Sequence, residues 1–219
     1  MTASLKFAST SIVKLIPLKM IIFVRHGESE MNVAKIETNE IDKYPLTVRG
    51  RTQVERVTQE LSSVQPNALY SSPVLRAVQT AGIISHCFEI PVQVNQALAE
   101  RDQGKANGMC VPTIEAQVDL FLAADQYDIE PLSSITRRIV EFMDDLSPGV
   151  SIAVTHGDVI RGALAHVLGM ADDEFSSYGM LPDNATMTVV NQRKDEKYEV
   201  VTVGSPRMTD SILRASRES

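Results

Sequence analysis

The chain has 219 residues, enough for one substantial domain with a core of its own. Apolar residues at 43% and charged residues at 22% are globular proportions, so a wholly disordered chain is excluded. A net charge of −7 argues against a dedicated nucleic-acid binder, no apolar run approaches the roughly 20 residues a bilayer needs, and two cysteines without C-x-x-C spacing exclude a disulfide scaffold or structural zinc site.

Residues Met1–Lys19 carry no acid, several Ser and Thr, and three lysines. They lack a proper apolar h-region, so we read 1–19 as a disordered extension or an early start before Met20, with a targeting leader as the alternative. Met20-Ile-Ile-Phe-Val24 is a short β-branched run of the kind that forms a buried parallel strand. Thr47–Ser62 has helical spacing of Val54, Val57 and Leu61, with Thr47 as N-cap. Ala68–Ser71 reads as a second strand, and Pro73 opens a helix through about Ser85. Val92–Val94 is a third strand, followed by a polar loop from Asn95 to Val111. Helices are expected near Thr113–Ala124 and Ser133–Leu146. Ser151–Thr155 is a fourth strand, before a helix from Asp158 to Leu168 that Gly169 stops. Ala185–Asn191 and Tyr198–Val203 form a closing strand pair, so one domain spans 20–205. Residues 206–219 read as a polar tail in which Ile212 and Leu213 are the docking candidates. His86 is expected to be a partly buried structural residue, Cys87 and Cys110 small apolar fillers, and Arg137-Arg138 a solvated helix face. The cysteine usage points to a reducing, cytoplasmic setting.

Strands alternating with helices imply an α/β fold with a mostly parallel sheet covered on both faces, whose ligands bind beyond the carboxyl ends of the strands. Those ends carry Arg25-His26-Gly27-Glu28, then Arg76, then Glu100, then His156-Gly157. Two of the four histidines therefore meet two arginines and a carboxylate. Metal-free phosphoryl transfer needs this set. Guanidinium forks match a phosphate dianion, a neutral imidazole can attack phosphorus, and a carboxylic acid can protonate the leaving oxygen. Glycines beside the histidines let backbone approach the phosphate.

These segments resemble the histidine phosphatase superfamily, also called the phosphoglycerate mutase-like family. The resemblance rests on Arg25-His26-Gly27-Glu28-Ser29 with Asn32, Pro45-Leu46-Thr47, Tyr70-Ser-Ser-Pro73 with Arg76, Leu98-Ala-Glu100, Thr155-His156-Gly157 and Asn184-Ala185. It implies a three-layer α/β/α sandwich around a six-stranded sheet with one antiparallel strand. It implies that His26 is the phosphorylated nucleophile and Glu100 the proton donor, that Arg25, Asn32 and Arg76 hold the phosphate with His156 and Gly157, and that neither metal nor cofactor takes part. The substrate is then a small phosphate monoester, with no nucleic-acid or membrane partner. Ile36 and Asn39 stand where the family often has Arg and Gly, and Ala106-Asn107-Gly108 replaces a common Trp-Glu-Gly. Only about twenty residues separate Gly108 from Pro131, enough for a small lid over which water can enter. The reading is therefore a phosphatase. A phosphoglycerate mutase-type transferase is the first alternative and a non-catalytic phosphate- or partner-binding domain the second.

Overall fold

A computed structural model describes residues 18–113, 116, 120, 123–171 and 181–218. The extension read at 1–19 lies outside them except for its last two residues, and so does most of the helix expected at Thr113–Ala124. Met20–Val24 is the middle of β1 (Lys19–Arg25), and all five residues are fully buried. The chain continues through α1 (Glu30–Ala34), β2 (Ile36–Glu37), α2 (Val48–Leu61), β3 (Ala68–Ser71), α3 (Leu75–Phe88), β4 (Val92–Val94) and β5 (Met109–Cys110). It closes with α4 (Leu132–Asp145), β6 (Gly149–Thr155), α5 (Gly157–Leu168), β7 (Met187–Gln192), β8 (Tyr198–Ser205) and α6 (Asp210–Glu218).

Six strands form the main sheet in the order β4-β3-β6-β1-β7-β8. β1 runs parallel to β6, and β6 to β3, while β7 is antiparallel to both β1 and β8. β7 is thus the one reversed strand, as expected. Alternation along β1 divides the core. Met20, Ile22 and Val24 join Val54, Val57 and Leu61 of α2 and Ala77, Ala81 and Ile84 of α3 on one face. Ile21 and Phe23 join Ile135, Ile139 and Phe142 of α4 and Val159, Ile160 and Leu164 of α5 on the other. That is the three-layer sandwich, and no described helix is long and apolar enough to cross a membrane.

Several local details differ from the sequence reading. α3 starts at Leu75 with Val74 as N-cap, because Pro73 precedes the helix and is not its first residue. β2 and β5 pair as a separate two-stranded sheet, Ile36 opposite Cys110 and Glu37 opposite Met109. The tail forms α6, whose Ile212 and Ala215 are buried in the α2–α3 core layer, and the Met208 amide donates to Glu60 Oε2 on α2. His86, Cys87 and Cys110 are exposed, and are neither fillers nor partly buried.

Close approach of α2 to the loop after β1 sets the site's floor. Thr47 caps α2 by accepting from the Gly50 amide at 2.9 Å, while its own amide donates to Glu28 O. A Cβ on Gly50 would lie 1.9 Å from Glu28 O, so no side chain fits. Gly50→Ala is therefore predicted to lower stability by about 2–3 kcal/mol, as overpacking against backbone does, measured by urea unfolding. A change within error would contradict the close packing.

Candidate active site

β1 and β6 are parallel neighbours with Arg25 paired to Thr155, so the next residue of each strand, His26 and His156, emerges at the same edge. The His26 amide donates to Thr155 O at 3.0 Å, and the two rings lie 5.1 Å apart. Arg76 enters from the first turn of α3 and Glu100 from the loop after β4. The structure thus brings together all five charged or imidazole residues expected there.

His26 is 1% exposed. Its Nδ1 lies 2.8 Å from Gly27 O. A carbonyl can only accept, so Nδ1 carries the proton and Nε2 presents its lone pair. Arg76 Nε donates to that Nε2 at 3.2 Å. Burial first, then the positive charge of Arg76, His156 and Arg25, pushes the His26 pKa well below its ordinary value. The ring is a neutral base aimed into the site.

Arg76 is fully buried, and its Nη2 donates to Glu100 Oε2 at 3.2 Å and to Thr38 O. Arg25 Nη1 donates to Pro182 O at 2.6 Å. Burial lowers the pKa of both guanidinium groups, and Glu100 opposes that most strongly. Both stay protonated. His156 Nε2 lies 2.7 Å from Ser72 Oγ, and Nδ1 lies 3.1 Å from Glu100 Oε2 without the alignment of a hydrogen bond. Burial pushes the His156 pKa down. Burial works to raise that of Glu100, but the His156 ring, the permanent charge of Arg76 and the Arg101 amide hold the carboxyl below the usual carboxylate range.

Three buried donors around this cluster have no hydrogen-bond partner: Arg25 Nε, Arg76 Nη1 and His156 Nδ1. Leaving a buried donor unpaired costs about 1–3 kcal/mol, more when charged, so three at one sheet edge are a stored demand for acceptor oxygens. His26, Glu100 and His156 also place donor atoms within 4.8 Å of one another, a spacing that suits a metal ion. Arg76, 3.2 Å from both His26 Nε2 and Glu100 Oε2, already puts a positive charge there, so the electrostatics favour an anion.

The cluster lies under a cavity of about 270 Å3 whose walls include Arg25, Asn32, Glu100, Gly157 and Asp158. Asn32 lines this cavity, and its Oδ1 accepts from the Ser29 amide and hydroxyl and from Asn184 Nδ2. Gly157 begins α5, and a Cβ there would lie 2.8 Å from Leu181 Cδ2 and 3.7 Å from the Arg25 guanidinium. β2, held by its pairing with β5, forms another wall through Ile36 and Glu37, with Lys35 and Val111 just outside the pair. Short strands of two residues leave no periodic signal, so the sequence reading missed this wall. It also missed that Arg138 is no solvated residue: it binds the Glu130 carboxylate and Ala97 O.

The described segments match a model of the histidine phosphatase superfamily (branch 1) over residues 21–205. A 2,3-bisphosphoglycerate-dependent phosphoglycerate mutase of Thermoplasma acidophilum is 35% identical, covering 90% of this chain and 98% of that protein. Phosphoserine phosphatase 1 of Hydrogenobacter thermophilus is 27% identical, covering 80% and 87%. Among solved structures, a phosphoglycerate mutase from Bacillus anthracis superposes with TM-score 0.72 at 20% identity over 92% of this chain and 98% of its own. A mycobacterial glucosyl-3-phosphoglycerate phosphatase in complex with VO3 also gives 0.72, at 21% identity over 85% and 98%. These two likenesses speak for the fold.

The depressed His26 pKa has a stability consequence. The unfolded chain takes up a proton near pH 6.5 that buried His26 refuses, so the stability present above that pH is lost as pH falls below it. Urea stability of the wild type should decline from pH 7 to pH 5, and less steeply in His26→Gln. Equal slopes would show that His26 is not held neutral.

Proposed function

The chain belongs to the histidine phosphatase superfamily, and we propose that it is a metal-independent phosphatase that hydrolyses a small phosphate monoester through phosphohistidine on His26. The observation that carries this reading is the set of three orphaned buried donors, Arg25 Nε, Arg76 Nη1 and His156 Nδ1, around the unprotonated Nε2 of His26. Three donors match the three non-bridging oxygens of a phosphoryl group in flight, where its charge is spread.

In the proposed reaction His26 Nε2 bonds to phosphorus as the ester P–O bond breaks. The leaving alkoxide takes the proton of Glu100. Water then attacks phosphorus, returns a proton to Glu100 and frees inorganic phosphate and neutral His26. Glu100 is ionised in the free protein because its carboxylate serves Arg76 as its anion. An arriving phosphoryl dianion takes over that cation and repels the carboxylate, so Glu100 gains its proton as substrate binds. Arg25, Asn32 and Gly157 line the phosphate's approach.

Hydrolysis is favoured over transfer by the segment after the acid loop. Between Lys105 and Arg137 there is no Lys, Arg or His, while Glu115, Asp119, Asp125, Asp128 and Glu130 are acidic. A bisphosphate primer carries a second phosphate that needs cations of its own, and this stretch supplies none. The mutase reading stands second, favoured by the 35% identity to the Thermoplasma mutase. Retention of both histidines, both arginines and the acid disfavours a binding-only domain. The two cysteines, both exposed and unpaired, fit a cytoplasmic setting.

Purified protein should hydrolyse an aryl phosphate in excess chelator, with no gain from added 2,3-bisphosphoglycerate, and His26→Ala should lose at least about a thousandfold in turnover. Activity abolished by chelator, or kept by His26→Ala, would refute the route. Glu100→Gln removes the competing anion. It should bind inorganic phosphate about tenfold more tightly in calorimetry while losing roughly a hundredfold in turnover. Weaker phosphate binding in that variant would refute the displacement of Glu100 by substrate.

A further inference from the structure

Asp158 is a second buried carboxylate beside the site, 7% exposed, in the first turn of α5. Its position follows directly from His156-Gly157, yet the reaction above gives it nothing to do. Both of its oxygens are engaged. Oδ1 lies 3.3 Å from Arg161 Nη1 on the same helix, and Oδ2 lies 3.7 Å from Arg101 Nη1. Arg101 is the residue after Glu100, and it is 6% exposed. Its backbone amide donates to Glu100 Oε1 at 3.0 Å, and its Nε donates to Glu130 O at 2.6 Å.

The Glu100 carboxylate is thus held from two sides. Arg76 and His156 face one oxygen, and the Arg101 amide holds the other. Anchoring of the Arg101 side chain fixes that amide. Two of its anchors are the Glu130 carbonyl, just before α4, and Asp158 on α5. The neighbouring Asp102 ties the same loop to Glu130, its amide donating to Glu130 Oε2 and its carbonyl accepting from the Glu130 amide, so Asp158 is the anchor that reaches the loop from α5.

We propose that Asp158 is a positioning residue for the proton donor: through its ion pair with Arg101 it fixes the amide that orients the Glu100 carboxylate toward the leaving oxygen. This rests on the reading of Glu100 as proton donor. Asp158 is not itself the donor, because two guanidinium groups occupy its oxygens. Its charge also balances Arg101 and Arg161, so Asp158→Asn removes a buried anion from between them.

Leaving-group dependence separates positioning of an acid from a general structural role. An ester with a nitrophenol leaving group needs no proton, whereas unsubstituted phenol leaves more readily with one. The measurement is the kcat/KM ratio of phenyl phosphate to p-nitrophenyl phosphate in wild type, Asp158→Asn, Asp158→Glu, Arg101→Met and Glu100→Gln. In Asp158→Asn the ratio should fall about tenfold, in Arg101→Met similarly, and in Glu100→Gln further still. Asp158→Glu, which keeps the charge, should hold the ratio close to wild type. Arg101→Met approaches the same pair from its other side, so the test survives if Asp158→Asn fails to fold. A wild-type ratio in Asp158→Asn or Arg101→Met, with a lowered ratio in Glu100→Gln, overturns the positioning role. An unmoved ratio in Glu100→Gln overturns the proton-donor reading on which it rests.

Discussion

Burial of positive charge at one sheet edge is the constraint on which the rest of the structure depends. Arg25 and Arg76 are withdrawn from water beside two imidazoles, and Glu100 is the anion placed among them. Each buried ion carries a desolvation penalty of several kcal/mol, and breaking such a pair by removing one partner typically costs 3–5 kcal/mol. A protein of net charge −7 that keeps this local excess of cations has built a place for an incoming anion. Burial first, and then the same positive field, keeps His26 neutral. The preference for an anion and the neutral state of His26 therefore go together at this sheet edge.

The fold supplies the rigidity this arrangement needs. Parallel pairing of β1 with β6 fixes the two histidines relative to one another, because each is the first residue past a paired strand end. Two apolar layers, divided by the alternation of Met20–Val24, hold that strand on both faces. α3 delivers Arg76 from its first turn, and the loop after β4 delivers Glu100. Glycine matters where space is short: Gly50 admits the backbone turn after β1, and Gly157 leaves room for the side chains of Arg25 and Leu181.

Much of this was legible in the sequence because it follows from short-range rules. Strands β3 and β4 fall where β-branched and apolar runs place them, α2 is capped by Thr47, and α5 stops at Gly169 in a left-handed conformation. The meeting of His26, Arg76, Glu100 and His156 was legible because all four follow strand ends. What was not legible depends on tertiary packing. Two-residue strands such as β2 and β5 have no periodicity, and the exposure of His86 and Cys87 depends on which face of α3 turns away from α2. Docking of α6 through Ile212 was legible, but its second buried contact is Ala215 and not Leu213, which the helical face decides. The Asp158–Arg101–Glu130 network links three separate segments, and no spacing in the chain announces it.

The central claim is that His26 carries the phosphoryl group during turnover, and it is tested most directly by trapping that species. Protein mixed with an aryl phosphate, quenched in base within its first turnovers and digested, would be analysed by mass spectrometry. The account predicts one added phosphoryl group on the peptide containing Arg25-His26-Gly27, stable in base and lost in acid, and absent in His26→Ala. Turnover with no phosphorylated peptide, or a phosphoryl group on another residue, would contradict it.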